Sequence, residues 1–325
     1  MDLLGKVSVD VRISSEDVRA GLERDVRAGF TTSPKTLPPV WFYDDRGSEL
    51  FDRITRLPEY YLTRCERFLI EGHAHDVASM ARAEVLVELG AGTCDKTQVI
   101  LDALLSAGDL RRYVPLDVSE GTLRGAVAEL AKRYPDLEIA GLVADFQRGL
   151  AVLPSGGRRL VAFLGSTIGN FGSEQRHGFF GDLSACLVTG DTFLLGVDLV
   201  KDRERLVAAY SDHGGVTAEF NRNVLLVVNR ELGADFDPSL FEHRALFNEA
   251  EQCIEMRLRA TADHVVAIRS LGMEIHFDAG EELLTETSAK FTVGGISAEL
   301  SDAGISVDAV WESPGAEYAL VMCQL

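Results

Sequence analysis

Short apolar runs that alternate with helical patterns constrain the fold of this chain more than any other feature of its sequence. The runs are residues 85–89, 113–116, 139–143, 160–164 and 193–197. Helical patterns lie between most of them, at 97–107, 120–133 and 174–187. Continuous apolar runs of this length are typical of parallel strands that are buried on both faces. The alternation therefore predicts an open, doubly wound α/β sheet with helices on both sides.

The alternation stops near residue 200, and this break indicates a second domain. We expect one helical stretch and three short antiparallel strands there, at 202–231, 253–259, 264–269 and 273–277. Near the end of the chain, a helical pattern at 296–303 precedes two strand patterns that a Ser-Pro-Gly turn joins. This arrangement predicts an antiparallel hairpin that closes the doubly wound sheet.

The first 65 residues show helical patterns without the strand alternation. Helices are expected at 10–30, 47–56 and 63–81, with cap chemistry from Ser14 in the first, and an ordered loop is expected at 35–48. We therefore assign residues 66–200 and 287–325 to the doubly wound domain. Residues 1–65 and 201–286 are assigned to a discontinuous α+β domain.

The charge balance of the chain excludes several classes of partner. Lys and Arg number 32 against 51 Asp and Glu, which gives a net charge of −19. A surface this acidic repels phosphate backbones and anionic lipid headgroups. No stretch approaches the roughly 20 consecutive apolar residues of a membrane helix, and the N-terminus lacks the pattern of a secretory signal. We expect neither a nucleic acid nor a membrane as partner.

The cysteines indicate a reducing compartment. Five of them are spread through the chain without a C-x-x-C pair, which argues against a disulfide framework and against a zinc site. His73 and His75 are two residues apart and do not face each other on a helix, so no metal site is predicted. We expect a cytoplasmic protein that is a monomer.

A glycine-containing turn after the first apolar run predicts a nucleotide-type ligand site. The segment ELGAG at 88–92 places Gly90 and Gly92 where a backbone can approach a ligand closely. The dinucleotide fingerprint G-x-G-x-x-G needs a third glycine at position 95, where this chain has Asp95. That difference disfavours an NAD-dependent dehydrogenase. The E-x-G-x-G form is the pattern of S-adenosylmethionine (SAM) methyltransferases, whose cofactor has no phosphates.

Two carboxylates follow the next two apolar runs. Asp117 can accept hydrogen bonds from both ribose hydroxyls, and Asp145 can accept from the adenine amino group, with Phe146 against the ring. Each of these features has another interpretation when it is taken alone. The glycines could form an ordinary tight turn, and Asp117 could be the N-cap of the next helix. Ligands bind at the carboxyl ends of strands in open α/β sheets, so the signals together favour SAM.

The segment GSTIGNF at 165–171 follows the fourth apolar run. Its functional interpretation places Asn170 beside the methyl donor, facing the substrate. An amide there can hydrogen-bond an amine or a carboxylate without adding charge. The alternative is a loop that caps the following helix.

Several long segments resemble the histidine-specific SAM-dependent methyltransferase family, which includes the L-histidine Nα-methyltransferases of ergothioneine biosynthesis. They are WFYDDRGSELFDRITRLPEYYLTR (41–64), ELGAGTCDKT (88–97), FLGSTIGNF (163–171), DLVKD (198–202), FNRNVL (220–225), NRELGADFD (229–237) and GEELLTETSAKF (280–291). The resemblance implies SAM-dependent trimethylation of the histidine α-amine to hercynine. It also implies a Rossmann-like methyltransferase domain, with a doubly wound sheet and a C-terminal antiparallel hairpin, plus a second, discontinuous substrate-binding α+β domain.

The same resemblance implies roles for individual residues of this sequence. The amino-acid end of the substrate would be held by Tyr60, Asn170 and Tyr210, with Tyr43 and Gly165 near the amine. The imidazole would be bound by Glu286 and Ser288, with Met256 lining the ring pocket. SAM would contact Tyr43, Gly90, Lys96, Asp117, Asp145 and Phe146. The residues expected to act on the reacting amine are Asn170 and Tyr43.

Two alternatives stay open beside this interpretation. The scaffold could methylate another amino acid, such as tryptophan or tyrosine, although the pair Glu286 and Ser288 favours an imidazole. Side chains two apart on an extended segment face the same way, so both can reach one ring. The chain could also be a SAM-binding regulatory module without catalysis, which the set Tyr60, Asn170 and Tyr210 disfavours.

Overall fold

The computed structural model describes residues 6–146, 149–150 and 153–324. Its strands are β1 (Val7–Val11), β2 (Lys35–Thr36), β3 (Val85–Leu89), β4 (Arg112–Asp117), β5 (Glu138–Val143), β6 (Arg159–Phe163), β7 (Thr192–Asp198), β8 (Phe241–Asn248), β9 (Cys253–Ala260), β10 (His264–Ile268), β11 (Met273–Phe277), β12 (Glu282–Ala289), β13 (Ser306–Glu312) and β14 (Tyr318–Gln324). Its α-helices are α1 (Ser15–Gly29), α2 (Asp45–Ile54), α3 (Leu62–Ala81), α4 (Thr97–Ala107), α5 (Glu120–Arg133), α6 (Ser173–Cys186), α7 (Arg203–Ala209), α8 (Val216–Leu232) and α9 (Val293–Asp302).

The chain divides into two compact units. The first comprises Met1–Arg12, Leu62–Lys201 and Lys290–Leu325, and the second comprises Ile13–Tyr61 and Asp202–Ala289. Over the ranges that the structure describes, no helix has the length and apolar character needed to cross a membrane.

An eight-stranded sheet forms the centre of the first unit, in the order β1-β5-β4-β3-β6-β7-β14-β13. The first six strands are parallel, β14 is antiparallel to β7, and β13 is antiparallel to β14. The predicted doubly wound sheet and its C-terminal hairpin are thus confirmed. Every residue of β3, β6 and β7 is buried, as expected for parallel strands covered by helices. Because the strand order reverses between β3 and β6, the carboxyl ends of these two strands form the switch point at which such sheets bind ligands.

Strand β1 is an edge strand that the prediction placed in the wrong domain. It pairs in parallel with β5, Val7 opposite Ile139 and Val11 opposite Val143. The assignment of residues 1–65 to the second domain is therefore wrong for this segment. The residues of VSVDV alternate between apolar and polar, but only Val9 is half-buried and the other four are exposed. Five residues of alternation give too weak a pattern to assign a strand to a sheet.

The second unit is built on a four-stranded sheet in the order β2-β12-β9-β8, with β10 and β11 forming a separate pair. Helix α8 packs against β8 and β9. Three strands of this unit, β2, β8 and β12, were missing from the prediction, although the segment with Glu286 and Ser288 was expected to be extended. The segment 35–48, expected to be a loop, contains β2, a short 3-10 helix at Pro39–Phe42 and the first turn of α2.

The single helical stretch expected over 202–231 is wrong, because the chain forms the two helices α7 and α8 there. The Asp212 carboxylate accepts hydrogen bonds from the backbone N–H groups of Val216, at 2.9 Å, and Thr217, at 2.7 Å. Gly215 adopts a left-handed conformation with φ +71°. This left-handed residue interrupts the helical backbone, and the carboxylate satisfies the first N–H groups of α8.

One carboxylate of the first unit holds both ends of the segment 202–289. The Nζ atom of Lys201 lies 2.5 Å from Asp198 Oδ1, and that of Lys290 lies 2.9 Å from Asp198 Oδ2. Asp198 and Lys290 are fully buried, and burial lowers the pKa of Lys201. Buried charges need such pairing, so the chain leaves and rejoins the first unit at one well-anchored place.

Candidate active site

The glycine turn after β3 and the carboxylate after β4 are joined in the first unit. Gly90 and Gly92 have φ of +67° and +52°, and a side chain at Gly92 would meet only open space. The Gly92 N–H donates to Asp117 Oδ2 at 2.8 Å, and the Ser119 N–H donates to Asp117 Oδ1 at 2.9 Å. Two backbone amides thus fix the carboxylate beside open space, which fits the contact with ribose hydroxyls that SAM requires.

The alternative role of Asp117, as the N-cap of the next helix, does not match its geometry. Helix α5 has Ser119, and not Asp117, at its N-cap position. Burial raises the pKa of the Asp117 carboxyl, while the hydrogen bonds from Ser119 and Gly92 act in the opposite direction. Asp117 therefore serves the turn after β3 rather than the end of a helix.

The aromatic residue expected against the adenine lies after β5. Phe146 is buried, and its ring centroid lies 5.2 Å from that of Phe163 and 6.4 Å from that of Phe171. The nearest atom to a side chain built at Gly90 would be a Phe146 ring carbon, at 3.8 Å. Phe146 and the glycine turn therefore border the same space. Asp145, beside it, is half-buried and follows the carboxyl end of β5.

The glutamate of the E-x-G-x-G motif lies inside the sheet. Glu88 is buried, accepts from Thr97 Oγ1 at 2.6 Å, and accepts a hydrogen bond from the Tyr113 hydroxyl. Burial raises its pKa to about 7, against the opposing effect of the two donors. Glu88 thus ties together β3, β4 and α4 beneath the glycine turn and is not itself a ligand-binding group.

The turn after β6 holds Asn170 in a tightly constrained backbone. Gly165 and Ser166 are both left-handed, with φ of +77° and +58°, and a 3-10 helix at Thr167–Asn170 follows. The Ser166 hydroxyl accepts from the Asp198 N–H at 2.9 Å. Non-glycine residues with positive φ cost free energy and are concentrated at functional sites. This backbone positions Asn170 at the switch-point edge of the sheet.

The capping interpretation of Asn170 is wrong. Helix α6 begins at Ser173 and has Gly172 at its N-cap position. The Gly172 N–H donates to Gln175 Oε1 at 3.0 Å. The start of the helix is therefore satisfied by its own first turn, two residues beyond Asn170.

In the second unit, residues from distant parts of the sequence come together around Tyr210. The Tyr210 hydroxyl is hydrogen-bonded to Ser288 Oγ at 2.9 Å, and the ring centroid of Tyr60 lies 6.3 Å from that of Tyr210. All three side chains are buried. The residues expected at the amino-acid end of the substrate, Tyr60 and Tyr210, thus adjoin one of the two residues expected at the ring.

Glu286 and Met256 are directly opposite each other on β12 and β9. Their Cα atoms pair across the antiparallel ladder, as do those of Ser288 and Ile254. A bulge between Leu284 and Glu286 shifts the register, which is regular from Glu286 onward. Glu286 and Ser288 therefore lie on one face of the strand, together with the fully buried Met256.

Tyr43 belongs to an aromatic cluster of the second unit. Its ring centroid is 5.6 Å from that of Phe51 and 5.8 Å from that of Phe220. Phe51 in turn lies 6.1 Å from Tyr60. The cluster connects Tyr43 to the Tyr60–Tyr210 pair, whereas the other residues expected to contact SAM all belong to the first unit.

A buried polar network that the sequence analysis missed supports this arrangement. His243 Nε2 is hydrogen-bonded to the Tyr210 carbonyl at 2.8 Å, and its Nδ1 to Asn221 Nδ2 at 2.9 Å. The Thr285 hydroxyl lies 2.7 Å from Asn221 Oδ1 and 3.0 Å from the Met256 carbonyl. Burial lowers the pKa of His243, which favours a neutral ring that donates at one nitrogen and accepts at the other. The network fixes the backbone of Tyr210 and Met256.

Among the residues that the structure describes, no group of three or more His, Cys, Asp or Glu side chains is arranged to hold a metal ion.

The chain is similar to proteins whose names describe histidine methylation. A model of the family described as "Histidine-specific methyltransferase, SAM-dependent" matches residues 22–325. A histidine N-alpha-methyltransferase of Mycolicibacterium smegmatis is 50% identical over 308 residues, which cover 95% of this chain and 96% of that one. The Mycobacterium tuberculosis protein of the same name is 49% identical over 315 residues, covering 97% and 98%.

A fungal relative extends the comparison. Ergothioneine biosynthesis protein 1 of Neurospora crassa is 32% identical over 233 residues, which cover 70% of this chain and 26% of that one. The family model and the bacterial relatives both span nearly the whole chain, across the glycine turn, Asn170 and the β12 pair. The chain therefore belongs to the histidine-specific, SAM-dependent methyltransferase family.

Proposed function

We propose that this protein transfers three methyl groups from SAM to the α-amino group of L-histidine, giving hercynine, the first step of ergothioneine biosynthesis. The observation that carries the proposal is the hydrogen bond between Tyr210 and Ser288. It joins a residue suited to the amino-acid end of a substrate with the strand that presents Glu286. Family membership and the names of the relatives support the same reaction.

The two units have separate roles in this proposal. The first unit binds SAM through Gly90, Lys96, Asp117, Asp145 and Phe146. The second binds histidine, with Tyr60 and Tyr210 at the amino-acid end and Glu286, Ser288 and Met256 at the ring. Asn170, Gly165 and Tyr43 act near the amine. SAM supplies a methyl group on a sulfonium, which leaves as a neutral thioether.

The amine must be neutral to act as a nucleophile. An α-amino group has a pKa of about 8 at a peptide N-terminus and a higher one in a free amino acid, so only a minor fraction of histidine has lost this proton to water near physiological pH. That fraction can react without a strong general base, and positioning of the amine supplies most of the rate. Asn170 and Tyr43 would orient the amine by hydrogen bonds that add no charge.

Ring recognition rests on complementary hydrogen bonding. A carboxylate accepts from one imidazole nitrogen, and a hydroxyl can donate to or accept from the other. A site of this kind rejects rings without those nitrogens because its own polar groups are then left unpaired. Met256 supplies the apolar side of the same pocket.

The reaction is tested by incubating the protein with SAM and each of the twenty amino acids, followed by mass spectrometry. We expect mono-, di- and trimethylated histidine and no comparable product from the others. Preferential methylation of tryptophan or tyrosine would favour the alternative substrate class. Binding of S-adenosylhomocysteine (SAH) without methylation of any amino acid would favour a regulatory module.

Replacement of Asp117 by alanine is expected to weaken SAH binding by about 1.5–3 kcal/mol, the range for hydrogen bonds to a charged group. The change removes the proposed ribose acceptor and the partner of the Gly92 N–H. Calorimetric titration with SAH measures it. Asp95→Ala is the matched control, because Asp95 is an exposed carboxylate of the neighbouring turn, and it should leave the affinity nearly unchanged. Equal affinities for Asp117→Ala and wild type would exclude the ribose assignment.

The net charge and the cysteines bear on the compartment and the partners of this protein. We infer that the protein works as a cytoplasmic monomer without nucleic-acid or membrane partners. A net charge of −19 opposes binding to anionic polymers. All five cysteines are free thiols, as expected in a reducing compartment.

A further inference from the structure

Glu66 is a fully buried carboxylate in the first unit that the assigned machinery does not use. It lies on α3, with its side chain about 1% exposed. Its Oε1 atom accepts from the Gly165 N–H at 2.6 Å and from the Tyr318 hydroxyl at 2.6 Å. Its Oε2 atom is paired with the Lys96 ammonium. A buried charge is tolerated only with this degree of pairing and hydrogen bonding.

The neighbouring strand is shaped to admit this carboxylate. A Cβ atom at Gly196 of β7 would lie 2.3 Å from Glu66 Oε1 and 2.6 Å from the Tyr318 hydroxyl. No side chain fits at this position while Glu66 and Tyr318 keep their places. Glycine in the middle of a strand usually marks such a close approach.

The carboxylate connects the two turns at the switch point. Gly165 follows β6 and Lys96 follows β3, and these strands are adjacent, with Leu89 paired to Phe163. The Lys96 Nζ atom lies 3.6 Å from the place where a Cβ of Gly165 would be. Lys96 is expected to contact the cofactor, and Gly165 is expected to lie near the amine. Glu66 contacts both residues and holds them in place.

We propose that Glu66 is a positioning residue that holds Lys96 and the Gly165 turn, and whose negative charge offsets the Lys96 ammonium so that the site accepts a cationic ligand. The inference rests on the proposed binding of SAM by the first unit. The sulfonium of SAM is positive, whereas the thioether of SAH is neutral. Without Glu66, the unbalanced Lys96 ammonium would repel SAM but not SAH.

The size of the effect follows from Coulomb's law. Two unit charges about 10 Å apart in a medium of effective dielectric constant about 20 change a binding constant roughly tenfold. A purely structural defect would weaken SAM and SAH alike, since the rest of the two molecules is the same. The ratio of the two dissociation constants therefore isolates the charge of Glu66 from its packing.

The experiment titrates the full-length protein with SAM and with SAH by calorimetry, in the absence of histidine. Glu66→Gln keeps the shape and removes the charge, and we expect the Kd of SAM relative to that of SAH to rise roughly tenfold. Tyr318→Phe is the matched control, because it removes one donor to the same Oε1 atom without changing the charge. It should leave the ratio unchanged.

A second variant keeps the inference testable if Glu66→Gln does not fold. Lys96→Met leaves the Glu66 charge unbalanced, so the Kd of SAM relative to that of SAH should fall. A ratio that equals the wild-type value in the folded Glu66→Gln variant, or that moves the same way in both variants, overturns the inference. Wild-type protein that binds neither SAM nor SAH would instead overturn the cofactor assignment.

Discussion

Asn170→Ala is expected to keep SAH affinity close to that of the wild type while kcat for histidine falls roughly 100-fold or more. A displacement of about 1 Å in the reacting atoms is enough for a loss of that order. Asn170 ends a 3-10 helix whose backbone is fixed by two left-handed residues and by the bond from the Asp198 N–H to Ser166. The amide is therefore held in place before the substrate binds. Calorimetry with SAH and initial rates with histidine separate binding from turnover.

Gln175→Ala is the matched control for this prediction. It removes the hydrogen bond to the Gly172 N–H, which lies two residues beyond Asn170 and satisfies the start of α6. If loosening of this loop were enough to reduce turnover, Asn170→Ala and Gln175→Ala would lose turnover to a similar extent. A near-normal rate for Asn170→Ala would show that the amide does not orient the amine.

Glu286→Ala is expected to lower kcat/KM for histidine by about 10- to 150-fold, which corresponds to about 1.5–3 kcal/mol for a lost charge-assisted hydrogen bond. SAH affinity should change little, because the residue is assigned to the ring and not to the cofactor. The measurement is kcat/KM for histidine, tyrosine and tryptophan. Glu282→Ala is the matched control, since Glu282 lies on the same strand but is paired with Arg257 at 2.7 Å.

Relaxed specificity should follow when the ring pocket is also enlarged. Met256 is paired with Glu286 across the ladder and is 1% exposed. Met256→Ala combined with Glu286→Ala removes the polar group and opens space for an indole, so tryptophan turnover should rise relative to histidine. A histidine preference that survives Glu286→Ala would show that the pair Glu286 and Ser288 is a feature of the strand and does not select the ring.

The central sheet was predictable because its strands are continuous apolar runs bounded by helices. The positions at the switch point were predictable for the same reason, since Gly90 and Asp117 follow such runs directly and Asn170 lies in the turn after another. Local sequence patterns did not predict the place of an element that depends on a partner far away in the sequence. The edge strand β1 needs β5, more than 100 residues later. The break between α7 and α8 was missed for a different reason, since the Asp212 carboxylate contacts amides only four and five residues further on, within a continuous helical pattern.

The supporting residues could not be found from the sequence. Glu66 contacts Gly165 and Tyr318, which are 99 and 252 positions away. His243 meets Asn221 and Tyr210 only after β8 and α8 have packed together. Neither residue belongs to a motif, and a buried ionisable side chain has no local pattern that distinguishes it from an exposed one. Their roles come from tertiary packing alone.

The shared anchor of Lys201 and Lys290 on Asp198 bears on how such an enzyme can diversify. A segment whose two ends meet at one place in its host can be lengthened, shortened or exchanged with little strain on the host fold. Residues 202–289 carry Tyr210, Met256, Glu286 and Ser288, which are four of the proposed substrate contacts and include all those at the ring. Grafting a foreign segment between the two lysines would therefore change which amine is chosen while the sheet and its cofactor turns are inherited intact.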